Sequence, residues 1–346
     1  MADFGGWLMP IEYPASGVLA EHTAVRERVG LFDVSHLGKA SVIGEGALAF
    51  LNTQLTNDLN RIADGQAQYT MLCAPEGGVV DDLIAYRKSE SDIFLIPNAA
   101  NTSSVVEILS AAAPAGISVT NHHLDFAVLA LQGPKAADLL ETLGVTPEMD
   151  YMAFSEVEIA GCQVILCRTG YTGERGYEML PKWEDASDVW NALVDAMKGY
   201  DGLVCGLGAR DTLRTEMGYP LHGHELSLEI TPVQAAATWA VGWKKEDFRG
   251  ADALREEKSV GPHRVLRGLQ STDRGIPRAG MVVKNNHGEQ IGEITSGTFS
   301  PTLKKGIALA LLSPDISIGG SVVVDVRGRD SVAEVVSLPM VESRVR

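Results

Sequence analysis

Apolar side chains recur at helical spacing over residues 19–29, and Gly30 closes that run. The segment around it, residues 4–33, is otherwise rich in turn residues. Residues 31–42 alternate weakly and predict a strand, and residues 44–55 predict a helix. Two β-rich runs, 69–73 and 79–86, flank Pro75-Glu-Gly-Gly78; runs joined by a Pro/Gly turn predict a hairpin. A further strand is expected at 93–96 and a helix at 100–113. Then come a strand at 126–131, a helix at 134–143 opening on Pro134, and a strand pair at 157–159 and 162–168. A Gly-rich turn at 169–176 leads to a strand at 177–180 and to helices at 183–197 and 207–217. Hairpins interspersed with helices predict a mixed α+β fold and not a repeated βαβ unit. Helical periodicity stops after about residue 258. Short strands follow at 264–270, 280–284, 289–294, 307–312, 320–326 and 333–336, and Gly/Pro-punctuated strands of this kind predict a small closed β-barrel.

Charge sharpens that division. The chain of 346 residues carries a net charge of -16. Residues 244–346 hold 16 basic and 13 acidic side chains, and the preceding residues hold the other 13 and 32. The last third is therefore mildly basic while the rest is strongly acidic. A long nucleic-acid contact needs a basic face, so bulk DNA or RNA binding is disfavoured. No apolar run reaches the length of a membrane span, and no basic-then-apolar leader opens the sequence, so neither a membrane nor a secretory route is expected. Cys73, Cys162, Cys167 and Cys205 form no CxxC pair and read as reduced core thiols of a cytoplasmic protein. Gly is frequent, 36 of 346, which suggests many tight turns and close backbone approaches.

Single motifs leave their chemistry open. Gly170, Gly173 and Gly176 are spaced unlike a nucleotide-binding loop, and a tight turn between strands accounts for them. His222 and His224 share the alternation of a strand face, but no third ligand accompanies them, so no metal site is expected. In Asp81-Asp82 the pleat sends the two side chains to opposite faces, and a carboxylate between Val80 and Leu83 is costly to bury without a partner or a task. A locally satisfied strand end and a functional acid both fit. Arg210, Asp211 and Arg214 fit either a solvated helix face or an arginine fork for a carboxylate-bearing ligand. Ser296-Gly-Thr-Phe-Ser300-Pro reads as a polar turn between barrel strands.

Taken together, these segments are far more specific. Arg168-Thr-Gly-Tyr-Thr-Gly-Glu-Arg-Gly-Tyr-Glu178 resembles the signature of the aminomethyltransferase family, the T-protein of glycine cleavage. So do Phe4-Gly-Gly-Trp-Leu-Met-Pro-Ile-Glu-Tyr13, Asp33-Val-Ser-His-Leu-Gly38, Gln68-Tyr-Thr-Met71 and Gly77-Gly-Val-Val-Asp-Asp-Leu-Ile84. Gly206-Leu-Gly-Ala-Arg-Asp211, Thr231-Pro-Val233 and Ile294-Thr-Ser-Gly-Thr-Phe-Ser-Pro301 continue the match in order through most of the chain.

The resemblance implies a three-domain cloverleaf around a central folate cavity. Residues 1–40 with 125–258 would make a discontinuous first α+β domain, 41–124 a second, and 259–346 the barrel. It implies tetrahydrofolate as co-substrate, no metal, and the lipoylated H-protein as partner, with no nucleic acid and no membrane, in the cytoplasm or, in a eukaryote, the mitochondrial matrix. The aminomethyl group arrives as a thioether on the lipoyl arm, tetrahydrofolate takes its methylene carbon, and ammonia and the dihydrolipoyl carrier leave. A fixed carboxylate in a partly dry cavity can accept a proton and stabilise the iminium cation. By family pattern this is Asp82, with Asp81 facing away. Asn98 is expected to hydrogen-bond near the same ring, and Tyr69 to line the pocket. Glu178 would accept two hydrogen bonds from the pterin. Arg210 would take the glutamyl tail or the cavity mouth, and Tyr171, Asp211 and Trp243 match other cavity positions.

Leu37 stands where Met is common in the family, and Arg175 where an acidic residue is common. Leu338-Pro-Met-Val-Glu stands where Pro and aromatics are frequent. A short N-terminal segment of the family pattern is also missing, which points to a misassigned start or a shortened copy. Two alternatives share the fold. Folate-dependent demethylases take a free small N- or S-methyl donor. A non-transferase folate factor of tRNA modification and iron–sulfur maintenance carries a Lys-Gly-Cys-Tyr-type motif where this chain has Arg168-Thr-Gly-Tyr171, and the missing Cys weighs against it.

Overall fold

The computed structural model describes residues 1–346. The chain divides into two compact units: residues 1–72, 81–210 and 344–346 form the first, and residues 73–80 and 211–343 the second.

The first unit opens on a hairpin of β1 (Ala2–Phe4) and β2 (Trp7–Met9), which the sequence pattern did not foresee. Then follow α1 (Gly17–Glu27), β3 (Gly30–Asp33), β4 (Ala40–Ile43), α2 (Ala47–Gln54), β5 (Gln66–Cys73), β6 (Val79–Ser89), β7 (Asp92–Ile96), α3 (Thr102–Ala112) and β8 (Ser118–Asn121). Strands β5-β6-β7-β4-β8 make a five-stranded sheet. The expected single strand over 31–42 is in fact β3 and β4, which lie in different sheets. Asp33 accepts the Ser35 amide and turns the chain, and Gly38 passes so close to α3 that a Cβ there would lie 2.0 Å from Thr102 Oγ1. Neither event leaves a mark on the hydrophobic period.

The second half of this unit comprises β9 (Leu129–Gln132), α4 (Ala136–Thr142), β10 (Phe154–Ile159), β11 (Cys162–Cys167), β12 (Gly176–Pro181), α5 (Ala186–Met197) and β13 (Leu203–Val204). The six-stranded order is β10-β11-β12-β9-β3-β13. Alternate residues Leu129 and Leu131, Val164 and Leu166, and Tyr177 and Met179 form one buried face. It packs on Leu139 and Leu140 of α4 and on Val189, Leu193 and Met197 of α5. The last three recur every fourth residue. At about 1.5–3 kcal/mol for each buried side chain, this one face contributes roughly 5–9 kcal/mol before conformational entropy is counted. α6 (Leu207–Met217) then carries the chain out of the first unit.

In the second unit, α7 (Ala251–Val260), a helix the apolar pattern missed, ends at Gly261. Six strands close the expected barrel: β14 (Val265–Ser271), β15 (Val282–Lys284), β16 (Gln290–Ser300), β17 (Lys305–Leu312), β18 (Ser321–Asp325) and β19 (Asp330–Val336), in the order β14-β17-β16-β15-β18-β19. Ala308, Ala310, Leu312, Val322, Val324, Ala333 and Val335 point inward at period two. Residues 296–300 were expected to form a turn but continue β16 past a bulge between Ile294 and Ser296. Ser296 is buried there and accepts a hydrogen bond from Arg214 Nη2 at 2.7 Å, so polarity signals an internal partner and not a loop. No helix is long and apolar enough to cross a membrane.

Candidate active site

The site begins with the register of β6. Val79, Asp81, Leu83 and Ala85 are buried, while Val80, Asp82 and Ile84 are half-buried, so the pleat does send the two aspartates to opposite faces. Asp81 faces away from Asp82, as expected, but it is not detached from it. Asp81 is fully buried, and it is bound to the same asparagine as Asp82. The antiparallel ladder pairs Ile84 with Ile96 and ends there, two residues short of Asp82 on one strand and of Asn98 beyond the other. Asn98 Nδ2 donates to Asp81 Oδ1 at 2.9 Å and to Asp82 Oδ1 at 2.8 Å, and the Asn98 backbone N–H donates to Asp81 Oδ2 at 2.9 Å. Asn101 Nδ2 adds a donation to Asp81 Oδ1 at 2.7 Å.

On the strand before, the Tyr69 hydroxyl donates to Asp82 Oδ2 at 3.0 Å. Burial and then the Asp82 charge push the Tyr69 phenol well above its ordinary value, so it stays a donor. Burial, reinforced by the Asp82 charge, also raises the Asp81 carboxyl, against the pull of the asparagine N–H groups. Asp82 thus meets a fixed donor at each oxygen while half-exposed, the arrangement a proton acceptor and cation stabiliser requires.

The Gly-rich turn builds the other half. Gln132 is 1% exposed and its amide lies between two glycines: a Cβ would lie 2.1 Å from Gln132 Oε1 if built on Gly170, and 2.5 Å from Gln132 Cδ if built on Gly176. Neither glycine has the positive φ that Gly173 adopts (82°), so space and not backbone geometry demands them. Gln132 Nε2 donates to Thr169 O at 3.2 Å, and Gln132 Oε1 accepts from Thr172 Oγ1 at 2.8 Å. Arg26 reinforces the turn, donating to Thr172 O at 2.7 Å and pairing with the buried Glu174 at 3.0 Å.

So held, Thr169 donates its hydroxyl to Glu178 Oε2, and Tyr86 stands on its other side. Burial raises the Glu178 carboxyl, opposed by Thr169 and by the Arg210 charge. The Arg210 guanidinium lies 4.5 Å from the centre of the Tyr171 ring, and Tyr171 in turn acts electrostatically on Tyr69. His36, buried beside Arg210, is driven down to about 3 by burial first and the Arg210 charge second, so it stays neutral. The structure therefore brings Asp82, Tyr69, Asn98, Tyr171, Glu178 and Arg210 together in the first unit.

Asp211 and Trp243 belong to the second unit. There Asp211 Oδ1 accepts from Arg214 Nε at 2.8 Å and Nη2 at 2.7 Å, and Arg214 also pairs with the fully buried Glu225 at 2.9 Å. Arg214 is thus spent on internal carboxylates, which separates it from Arg210. Trp243 Nε1 donates to Thr238 O, and the Lys258 ammonium lies 3.9 Å from its ring centre. His222 and His224 hydrogen-bond the carbonyls of Val79 and Thr295, and no cluster of three metal-ligating side chains is present. Arg175, a departure from the family pattern, is exposed, and its Nη2 donates to the Tyr177 hydroxyl at 3.4 Å. Asn101, Thr169 and Gln132 were missed by sequence reasoning; only the two glycines that hold Gln132 hint at it.

Residues 1–245 match the family model described as the GCVT N-terminal domain, and residues 264–342 match the glycine cleavage T-protein C-terminal barrel domain. The chain belongs to the glycine cleavage T-protein family. An aminomethyltransferase from Parafrankia sp. is 59% identical over 345 residues, covering 100% of this chain and 94% of that one. An aminomethyltransferase from Mycobacterium tuberculosis is 56% identical over 347 residues, with the same two shares. The crystal structure of glycine cleavage system aminomethyltransferase T from Bartonella henselae superposes with a TM-score of 0.93 at 36% identity, covering 99% of this chain and 94% of that one. The chain is accordingly an aminomethyltransferase of the glycine cleavage system, and neither the demethylase nor the tRNA-modification alternative is favoured.

Proposed function

We propose that this T-protein family member moves the methylene carbon of an aminomethyl group, carried as a thioether on the lipoyl arm of H-protein, to tetrahydrofolate. The products are 5,10-methylenetetrahydrofolate, ammonia and the dihydrolipoyl carrier. The methylene carbon breaks its bonds to sulfur and to nitrogen and forms bonds to the two folate nitrogens. The two folate N–H protons end on the departing amine and thiol. The folate nitrogens are weak nucleophiles, and the one-carbon unit passes through an iminium cation. Asp82 accepts a folate N–H proton and balances that cation. Tyr69 and Asn98 hold the Asp82 oxygens, and Glu178 accepts the pterin N–H groups. Arg210 and Tyr171 take the anionic tail or the mouth of the site.

The observation that carries this reading is Asp82 held at both oxygens, by Tyr69 and Asn98, in the same compact unit as the half-buried Glu178. In this reading the two sheets and the barrel correspond to the domains over 1–40 with 125–258, 41–124 and 259–346, and the enzyme works in the cytoplasm, or in the mitochondrial matrix of a eukaryote. The mildly basic barrel receives the carrier at Lys304 and Lys305. Replacing Asp82 by Asn tests the assignment: kcat should fall by about 10²-fold or more while the tetrahydrofolate Kd from calorimetry stays within about threefold. Full activity in that variant refutes it.

A further inference from the structure

The proposed chemistry uses one member of the aspartate pair, yet the structure spends more hydrogen bonds on the other. Asp81 is fully buried and receives three N–H donations, two from Asn98 and one from Asn101. A buried carboxylate is costly, and an apolar residue would suit the core face it shares with Val79, Leu83 and Ala85. What Asp81 holds explains its presence. Asn98 follows the end of β7, where the ladder no longer constrains it, and Thr102 Oγ1 donates to its carbonyl at 3.0 Å. With its backbone N–H and one amide hydrogen bound by Asp81, the Asn98 side chain has little freedom left. The same Nδ2 is then 2.8 Å from Asp82 Oδ1 and 3.0 Å from the Asp82 carbonyl.

We propose that Asp81 is a positioning residue for the one-carbon transfer: it anchors Asn98, with help from Asn101, so that the Asn98 amide fixes the rotamer in which Asp82 meets folate. The inference rests on the assignment of Asp82 above.

The test is Asp81→Asn beside Asp82→Asn, with carrier-dependent ammonia release, tetrahydrofolate calorimetry and thermal melting. Asp81→Asn keeps the shape but turns an acceptor into a donor facing the Asn98 N–H. We expect kcat to fall about 10- to 100-fold, the scale of a small misplacement of a reacting group, with the folate Kd within about threefold. A lower kcat with folate affinity kept is a split that a merely structural role would not give. Should Asp81→Asn fail to fold, Asn101→Ala decides, because it removes one donor from a half-buried position; a severalfold lower kcat at an unchanged melting temperature is expected. Wild-type kcat in Asp81→Asn, or in Asn101→Ala if it must stand alone, overturns the proposal while Asp82→Asn is inactive. An active Asp82→Asn overturns the underlying assignment and this inference with it.

Discussion

Replacing Gly170 by Ala puts a methyl group where the Gln132 amide already lies, since its Cβ would be 2.1 Å from Oε1 and 2.7 Å from both Cδ and Nε2. Those atoms are not the loose end of a flexible side chain. Gln132 is 1% exposed, and its amide holds Thr169 O, Tyr177 O and the Thr172 hydroxyl. Gln132 must therefore leave, and at least two buried polar groups lose their partners. At about 1–3 kcal/mol for each, with some relaxation of the turn, the loss is about 3–5 kcal/mol. For domains of this size that lowers Tm by on the order of 10 °C. Thermal unfolding of Gly170→Ala, Gln132→Ala and the double variant gives the decisive cycle. Both single changes damage the same contact, so the double variant should cost at least about 1 kcal/mol less than the sum of the singles. Folate affinity should fall in Gly170→Ala as well, because Thr169, carried on this turn, donates to Glu178. Additive costs, or a melting temperature for Gly170→Ala equal to the wild type, would refute the idea that Gln132 dictates glycine at this position.

Three further predictions follow the same geometry. Arg210→Ala should weaken tetrahydrofolate binding about tenfold or more while leaving kcat at saturating folate near the wild-type value, the size of a lost charge-assisted hydrogen bond; an unchanged Kd removes its proposed role. The raised Glu178 carboxyl gives a pH dependence with a definite sign. Its ionised form accepts the pterin N–H groups, so folate affinity should decline on acidification from a higher pH than an ordinary glutamate would cause, and Glu178→Gln should flatten that decline. The favourable contribution of Glu178 to stability is fully present below the ordinary glutamate value and is lost as pH rises through its raised value, so Glu178→Gln should bind folate less well without being less stable at neutral pH. Charge reversal at Lys304 and Lys305 should raise KM for the carrier and leave KM for folate unchanged; an unchanged carrier KM excludes that patch.

Much of this architecture was legible because it depends on period and punctuation. The barrel strands alternate inward residues, and the hairpin around residues 75–78 is marked by its Pro and Gly. The opposite facing of Asp81 and Asp82 follows from the pleat alone. What escaped depends on contacts distant in sequence. Asp81 is not a bystander because Asn98 reaches both carboxylates from the strand alongside, a bridge that no local pattern encodes. The run over 31–42 alternates through a turn made by the Asp33 carboxylate and by Gly38 against Thr102, so its division between two sheets could not be seen. Ser296-Gly-Thr-Phe-Ser300 has the composition of a turn, but its buried serine faces an arginine inside the second unit. The six first-unit residues that gather at the site came from resemblance to a family, not from spacing. Their supports, Thr169, Gln132 and Asn101, became visible only in three dimensions.

The most direct test is ammonia release from aminomethyl-lipoyl H-protein, followed with and without tetrahydrofolate in the wild type and in Asp82→Ala. The account predicts release that requires folate and is lost in Asp82→Ala while calorimetry still detects folate binding. Folate-dependent release persisting at the wild-type rate in Asp82→Ala, or no release from a wild-type protein that binds folate, would contradict it.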